Sequence, residues 1–225
     1  MRESRPQKVS RAVRLIERLA ASYPEATTEL DFGSPLELMV AVLLSAQCTD
    51  VRVNKVTPAL FARFPTVRDF AGAQPAQIEP FIRSCGLFHT KAKAIAGACR
   101  AIVEDHAGQV PTTREALATL PGIGNKSAGV VAMHLSGTEY AFPVDTHVAR
   151  LARRMGLSDA DGPDEIERDL RALLPRELWM PGHHRLIWHG RRACTARAPR
   201  CDGCPVADLC PKRGVVTPPG KIRGK

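Results

Sequence analysis

The chain has 225 residues, a length that suits one large domain or two small ones and allows a buried core without disulfide staples. Lys and Arg number 32 against 23 Asp and Glu, so the formal net charge is +9, and 44% of the residues are hydrophobic. This hydrophobic content excludes a disordered basic tail protein. The longest apolar run, 38–44, is well short of the ~18 residues of a membrane span, and the charged N-terminus predicts no secretory signal. The basic excess favours a polyanionic partner, nucleic acid first, with an ordinary basic enzyme as the alternative.

The dominant periodicity along the chain is helical. Residues 9–20 place Val13, Ile16 and Leu19 on one stripe, which predicts an amphipathic helix, and the apolar segment 36–47 predicts a buried one. Helix N-caps are predicted at Ser34, Thr57, Thr66, Thr90, Thr112 and Asp164. Strand-like alternation and Asn-Gly hairpin turns are absent from the sequence. The prediction is an all-α protein of about ten mostly short helices, followed by a flexible basic tail over 212–225.

Two of the helical runs meet at a glycine turn, LPGIGNK, over 120–126. Pro121 disfavours helical geometry in the residue before it, and Gly122 and Gly124 allow a positive φ and carry no Cβ. The turn therefore presents backbone N–H groups at the start of the second helix, which suits a phosphate and a DNA backbone bound without sequence preference. An ordinary turn between two helices is the alternative.

Two residues around this turn are candidates for catalysis. Lys126 is expected in the first turn of the second helix, where the helix dipole and partial burial would both favour the neutral amine that a nucleophile needs. Its alternative role is to neutralise a phosphate. Asp145, in the segment PVDTH, is either a helix N-cap or a carboxylate directed at the turn, and composition does not choose between these.

The seven cysteines are unevenly distributed, and the last four crowd into 194–210 with the spacing C-x6-C-x2-C-x5-C. These four are Cys194, Cys201, Cys204 and Cys210. They suit one metal centre, and spacing alone leaves structural zinc and a [4Fe–4S] cluster equally open. Arg197 and Arg200 in the same loop are either phosphate contacts or solvated charges.

Several ordered blocks resemble the endonuclease III branch of the helix-hairpin-helix DNA glycosylases. They are LLSAQCTDVRVNK at 43–55, GLFHTKA at 86–92, LPGIGNKSA at 120–128 with FPVDTHVAR at 142–150, and HHRLIWHGR at 183–191. The resemblance runs from about residue 11 to residue 211. It implies a bifunctional DNA glycosylase and abasic-site lyase of base excision repair, acting on oxidised pyrimidines.

The resemblance also implies the fold. We expect two helical lobes with a DNA-binding cleft between them. A six-helix lobe over 28–137 would hold the hairpin, and 1–27 with 138–211 would form the second lobe around a structural [4Fe–4S] cluster bound by the four cysteines.

The resemblance assigns roles to further residues. Lys126 would attack C1′ of the damaged nucleoside, and Asp145 would stabilise the positive charge that develops on the sugar. Gln47 and Leu87 match residues that fill the gap left by the extruded base, although taken alone each suggests a helix-end or core residue. Lys91 is also expected to contact DNA, as are Gly122, Gly124, Arg197 and Arg200 on the grounds given above. Asp50 matches a family aspartate near the pocket, but helix capping is an equally good account, so it is a weaker candidate.

Two features depart from the family pattern: Cys48 follows Gln47, and Asn125 precedes Lys126 where some relatives carry a basic residue. The expected partner is double-stranded DNA with damaged bases or abasic sites, bound by a monomer in the bacterial-type cytoplasm near the nucleoid, without a membrane. The alternatives are an adenine-specific mismatch glycosylase without lyase activity and a non-catalytic helix-hairpin-helix module that binds DNA.

Overall fold

The computed structural model describes residues 3–136 and 142–215. Its helices are α1 (Arg5–Ser22), α2 (Pro35–Ser45), α3 (Asp50–Arg63), α4 (Val67–Gly72), α5 (Pro75–Ile82), α6 (Phe88–Asp105), α7 (Arg114–Ala118), α8 (Asn125–Leu135), α9 (Thr146–Arg154), α10 (Pro163–Leu173) and α11 (Trp179–Arg192). Short 3-10 turns span Arg83–Cys85 and Arg176–Leu178, and no strand occurs in the described ranges. The all-α prediction is confirmed. None of these helices is long and apolar enough to cross a membrane.

The chain divides into two compact units, Thr28–Pro143 and Met1–Thr27 with Val144–Lys225. Within the described residues of the first unit, the chain forms the helices α2 to α8. The second unit contains α1, α9, α10, α11 and the cysteine loop. Of the predicted flexible tail, only 212–215 lies within the described residues, and there the N–H of Arg213 donates to the carbonyl of Arg154 at 3.0 Å.

Helix α2 is the centre of the unit Thr28–Pro143. Its residues from Leu38 to Leu44 are all buried, so it has no solvent-facing stripe over that span. It packs against α3, α6 and α8, and burial of a large aliphatic side chain contributes about 1.5–3 kcal/mol. This packing decides where the ends of α2, α6 and α8 lie, and each of these ends carries a predicted site residue.

Some of the predicted helix N-caps are found in the structure, and others are not. The hydroxyls of Ser34 and Thr66 accept N–H groups of the first turns of α2 and α4, as predicted. Thr57, however, lies inside α3, which begins after Thr49 and continues through Pro58. Pro58 has no N–H to donate within the helix, but it lies on the exposed face of α3. Thr57 is buried, so the packing of α3 outweighs the tendency of Thr57-Pro58 to start a new helix.

The remaining cap predictions are displaced or wrong. Thr90 lies inside α6, which begins at Phe88, while Thr113 rather than Thr112 caps α7. Asp164 lies in the first turn of α10, whose N-cap is Gly162. Neighbouring residues compete for each cap, and tertiary packing selects among them.

Candidate functional site

The glycine turn between α7 and α8 requires glycine at one of its two positions. Gly122 has φ +79°, and a Cβ at this residue would lie 2.4 Å from the Cβ of Ala94 on α6 and 3.6 Å from Cδ2 of Leu43 on α2. The turn is closed by the N–H of Ile123, which donates to the carbonyl of Leu120 at 3.1 Å. The hairpin is therefore docked on α6 and α2 through the missing side chain of Gly122.

Gly124 behaves differently from Gly122. Its φ is −83°, so the expected positive φ is not used there, and beyond its chain neighbours no atom lies within 4 Å of the position that a Cβ would take. No side chain caps the N-terminus of α8, whereas Ser or Thr caps α2, α3, α4 and α7 in the same unit. An uncapped helix N-terminus beside open space suits an anion, because the first N–H groups and the helix dipole both attract negative charge.

Lys126 is the second residue of α8 and is exposed. The prediction that the Lys126 side chain is partly buried is therefore wrong. Its amine stands at the solvent-facing start of the uncapped helix, two residues after Gly124. A DNA backbone held at this N-terminus would reach the lysine without any rearrangement of the helix.

Gln47 and Leu87 share an uncommon backbone conformation. Gln47, just after α2, has φ +52°, and Leu87, the residue before α6, has φ +47°. Both are exposed, and Leu87 has 57% of its surface accessible, which excludes the alternative of a core leucine. Left-handed backbone at non-glycine residues costs about 1–3 kcal/mol and clusters at functional sites.

The structure corrects the prediction for Lys91. This residue is only 5% exposed, and its Nζ donates to the carbonyls of Leu44 at 2.8 Å and Cys85 at 2.7 Å. A side chain held in this way does not reach a phosphate, so the prediction of a DNA contact is wrong. Lys91 instead joins the end of α2 to the turn before Leu87, and burial lowers its pKa.

The two aspartates that were singled out both lie at helix starts. Asp50 is the first residue of α3, whose N-cap is Thr49. Asp145 is the N-cap of α9, and its Oδ1 accepts the N–H of Val148 at 2.7 Å. Among the described residues no hydrogen bond to Oδ2 of Asp145 is formed, so the capping role and a role toward a ligand are compatible.

The four cysteines of 194–210 line one cavity, together with Arg154 and His189. Arg154 is 9% exposed, and its guanidinium donates to the carbonyls of Thr195 and Ala196 at 2.7 Å each. Its Nη1 also lies 3.4 Å from Sγ of Cys194. Sequence reasoning missed Arg154, because a buried arginine inside a basic amphipathic helix gives no local signal.

The donor set fits an iron–sulfur cluster. Burial raises the pKa of the Cys204 and Cys210 thiols, and a bound metal centre takes cysteine as the thiolate. The N–H of Lys212 lies 3.4 Å from Sγ of Cys210, and such N–H contacts with the sulfurs, with the charge of Arg154, stabilise thiolates. Within the described ranges no three His, Cys, Asp or Glu side chains converge closely enough for a single metal ion.

Three histidines of α11 precede the cysteine loop. His183, His184 and His189 are all buried, and Nδ1 of His189 lies 3.1 Å from the hydroxyl of Tyr23. The loop arginines Arg197 and Arg200 are exposed, and Arg200 donates to the carbonyl of Arg192. Because both side chains are exposed, each arginine can be either a phosphate contact or a solvated charge.

Comparison with known proteins gives two family matches in this chain. Residues 40–176 match the model of HhH-GPD superfamily base excision DNA repair proteins. Residues 194–210, which begin and end on cysteines of the loop, match the iron–sulfur binding domain of endonuclease III. The second match shows an iron–sulfur binding loop, and the cofactor of this family is a [4Fe–4S] cluster.

Relatives and solved structures agree with these matches. The chain is 49% identical to endonuclease III of Synechocystis over 204 residues, which cover 91% of this chain and 93% of the relative. It is similar to the structure of a non-covalent endonuclease III–DNA complex, with a TM-score of 0.84 at 40% identity over 88% of this chain and 93% of the other. A trapped endonuclease III–DNA covalent intermediate, an estranged-adenine complex, gives a TM-score of 0.83 at 40% identity over 88% and 92%.

Family models, sequence identity and fold therefore agree with the hairpin and the cysteine loop described above. The chain belongs to the endonuclease III family of base excision DNA glycosylases and abasic-site lyases, within the helix-hairpin-helix superfamily.

Proposed function

We propose that this enzyme releases oxidised pyrimidines from double-stranded DNA and then cuts the strand 3′ to the abasic site, with Lys126 as the nucleophile. The observation that carries the proposal is the exposed amine of Lys126 on the first turn of an uncapped helix, beside the open approach at Gly124. The covalent endonuclease III–DNA intermediate of a relative supports a covalent mechanism.

The proposed reaction begins with the neutral amine of Lys126. Its lone pair attacks C1′, the bond from C1′ to the base breaks, and the base leaves with a proton. The sugar ring then opens to a Schiff base between Nζ and C1′. Loss of a proton from C2′ expels the 3′ phosphate by β-elimination, and water hydrolyses the Schiff base to free the lysine. Covalent catalysis of this kind replaces one difficult displacement by several easier steps.

Asp145 is proposed to act on the same nucleotide. Positive charge develops on the sugar as the base departs, and a carboxylate close to C1′ stabilises it. The hydrogen bond of Oδ1 to the N–H of Val148 fixes the orientation of the carboxylate, while Oδ2 has no bonded donor among the described residues. The helix cap thus orients the group and does not compete with its chemical role.

Gln47 and Leu87 are proposed to occupy the space left by the extruded base. Leu87 supplies an exposed apolar wedge, and Gln47 supplies an amide that can pair with the orphaned base. Lys91, by holding the carbonyls of Leu44 and Cys85, positions both segments. Asp50 at the start of α3 is a weaker candidate for the lesion pocket.

The partner is DNA, as in the complexes of the similar endonuclease III structures. We propose that a monomer binds duplexes with damaged bases or abasic sites, through phosphate contacts at Gly122, Gly124, Arg197 and Arg200. We also propose that it acts in a bacterial-type cytoplasm near the nucleoid. The four cysteines Cys194, Cys201, Cys204 and Cys210 are proposed as the ligands of the cluster, which supplies structure and no bond-breaking step.

Borohydride trapping tests the lysine mechanism. Duplex DNA that carries an oxidised thymine, an abasic site or an adenine mismatch is incubated with the enzyme and reduced, and base release and the covalent adduct are quantified by gel electrophoresis. The wild type gives an adduct, and Lys126→Gln gives none. An unchanged adduct in Lys126→Gln contradicts the mechanism. Release of adenine from a mismatch without any adduct supports the mismatch glycosylase, and binding without base release supports the non-catalytic module.

A matched pair of variants tests Asp145. Asp145→Asn keeps an oxygen that caps α9 but removes the charge, so we expect a native fold and base release slower by about 100-fold or more. Asp145→Ala removes both cap and charge and is expected to lose stability as well, by about 1 kcal/mol. Full activity of Asp145→Asn would show that Asp145 is only a helix cap.

A further inference from the structure

The imidazole of His189 lies between the hydroxyl of Tyr23 and the sulfur of Cys204. Its Nδ1 is 3.1 Å from the Tyr23 hydroxyl, and its Nε2 is 3.6 Å from Sγ of Cys204. Tyr23 ends α1, and His189 belongs to the last turn of α11. One side chain thus joins the end of α1 to a cysteine of the loop 194–210.

The backbone of His189 contacts a second cysteine of the same loop. Its carbonyl accepts the N–H of Cys194 at 2.8 Å, so His189 reaches two of the four proposed ligands. The residue is 1% exposed and lines the cavity of the four cysteines. Buried polar groups need hydrogen-bond partners, and here both ring nitrogens have one.

Tyr23 is itself held in place by packing. Its ring stands edge-on to the ring of Trp188, with the centroids 6.4 Å apart, and Nε1 of Trp188 donates to the carbonyl of Thr27 at 2.9 Å. The backbone N–H of Tyr23 donates to the carbonyl of Leu19 at 2.9 Å. These contacts keep the hydroxyl beside the ring of His189.

The chemistry of the two partners determines where the ring proton lies. In a neutral imidazole one nitrogen donates and the other accepts. A cysteine bound to iron is a thiolate, which can only accept, so Nε2 is the donor to Cys204. Nδ1 then accepts the hydroxyl proton of Tyr23. The hydroxyl therefore selects the tautomer that directs an N–H at the sulfur.

We propose that Tyr23 and His189 raise the reduction potential of the cluster through the hydrogen bond from Nε2 of His189 to the sulfur of Cys204. Hydrogen bonds to the sulfurs are among the factors that set the potential of an iron–sulfur cluster. Such a bond stabilises the reduced form more than the oxidised form, because the reduced cluster carries one more negative charge. The inference rests on the ligand role of Cys204 in the proposed function, and it adds two positioning residues outside the ligand set.

A matched pair of substitutions at position 189 tests the hydrogen bond. The amide nitrogen of glutamine reaches about as far as Nε2 of histidine, whereas that of asparagine reaches only as far as Nδ1. His189→Gln therefore keeps a donor for Cys204, and His189→Asn loses it. Tyr23→Phe removes only the hydroxyl. As a control, His184→Gln alters a buried histidine of the same helix that lies outside the lining of the cysteine cavity.

The midpoint potential of the cluster is measured on the full-length loaded proteins by redox titration, followed by visible absorbance. We expect a more negative potential for His189→Asn than for the wild type, and a smaller shift in the same direction for Tyr23→Phe. His189→Gln and His184→Gln should keep the wild-type potential. Equal potentials for the wild type and His189→Asn overturn the proposal, as does a shift in His189→Gln as large as that in His189→Asn. An unchanged potential in Tyr23→Phe alone refutes the role of the hydroxyl.

Resonance Raman spectroscopy gives a second readout of the same contact. Transfer from H2O to D2O should move the Fe–S stretching bands less in His189→Asn than in the wild type, because one exchangeable proton fewer contacts the sulfurs. Equal isotope shifts in the two proteins contradict the hydrogen bond. If His189→Asn does not retain the cluster, Tyr23→Phe decides in its place. A negative shift of its potential then supports the proposal, and an unchanged potential overturns it.

Cys204→Ala separates this proposal from the ligand assignment on which it rests. Loss of iron and of visible absorbance in Cys204→Ala supports the assignment, and a full complement of iron refutes it. With the assignment supported, equal potentials for the wild type and His189→Asn refute the hydrogen bond alone and leave the proposed function standing.

Discussion

Substitution of Gly122 offers a quantitative test of how the hairpin is held. Alanine at this position would adopt φ +79°, and its methyl group would lie 2.4 Å from Cβ of Ala94. Left-handed backbone costs alanine about 1–2 kcal/mol. Relief of the clash, as in other overpacked sites, costs about 1–3 kcal/mol. We therefore expect Gly122→Ala to lower the free energy of unfolding by about 2–5 kcal/mol.

Gly124 provides the matched control in the same turn. It has φ −83° and open space around a Cβ, so Gly124→Ala should change the free energy of unfolding by no more than about 0.5 kcal/mol. The added methyl stands where a phosphate would approach α8. This variant should therefore bind abasic-site DNA more weakly while it keeps its stability, which separates the two roles of the turn.

A double variant isolates the clash from the backbone strain. Ala94→Gly by itself should destabilise α6 by about 0.5–1 kcal/mol. Combined with Gly122→Ala it removes the methyl at 2.4 Å, so the double variant should be more stable than the sum of the single effects predicts. We expect a coupling energy of about 1–3 kcal/mol.

Chemical denaturation followed by far-UV circular dichroism measures the wild type and all four variants under the same conditions. Two results would refute the reasoning. One is a Gly122→Ala variant no less stable than Gly124→Ala. The other is strict additivity of the effects of Ala94→Gly and Gly122→Ala on the free energy of unfolding. It would show that contact with Ala94 on α6 is not the reason why position 122 needs glycine.

Three further predictions concern polar side chains that are buried or half-buried. Lys91→Met leaves two buried carbonyls without their donor and should lower the free energy of unfolding by about 2–4 kcal/mol in the same denaturation assay. Burial lowers the pKa of His134 below its ordinary 6.5, so the unfolded chain takes up a proton more readily than the folded one. Stability should thus fall as the pH drops below 6.5 until the lower folded pKa is reached, and His134→Gln should show a shallower fall. Arg154→Met removes the contacts with the cysteine loop, and the cluster should then lose iron to a chelator about 10–100-fold faster, as followed by visible absorbance.

Each of these predictions has a control or a contradicting outcome. Lys93→Met alters an exposed lysine of the same helix and should be close to neutral, so equal effects at 91 and 93 would contradict the role of Lys91. Parallel pH profiles of wild type and His134→Gln would show that His134 does not carry the acid sensitivity. Arg153→Met, at an exposed neighbour of Arg154, should retain iron like the wild type.

Some of the local structure was predictable because the signal and the structure are equally local. The apolar segment 36–47 contains the buried helix α2, and Ser34 caps it. The two glycines of the turn and the start of α8 were also within reach of sequence reasoning. Thr57 and Thr90 show the limit of this approach, because several residues near each helix start can cap it and packing decides which one does.

The sequence by itself determined the helical class, the glycine turn with Lys126, and the four-cysteine spacing, since periodicity and spacing are properties of short stretches of chain. It also supplied the net charge of +9, which favoured a nucleic-acid partner before any motif was considered. Only the tertiary structure decided which glycine must remain glycine, that Leu87 is exposed, and that Arg154 holds the cysteine loop. Lys91 is the clearest case, because its acceptor at Leu44 lies 47 residues away. A lysine looks the same in a sequence whether it faces phosphate or is buried, and only the packing around it distinguishes the two.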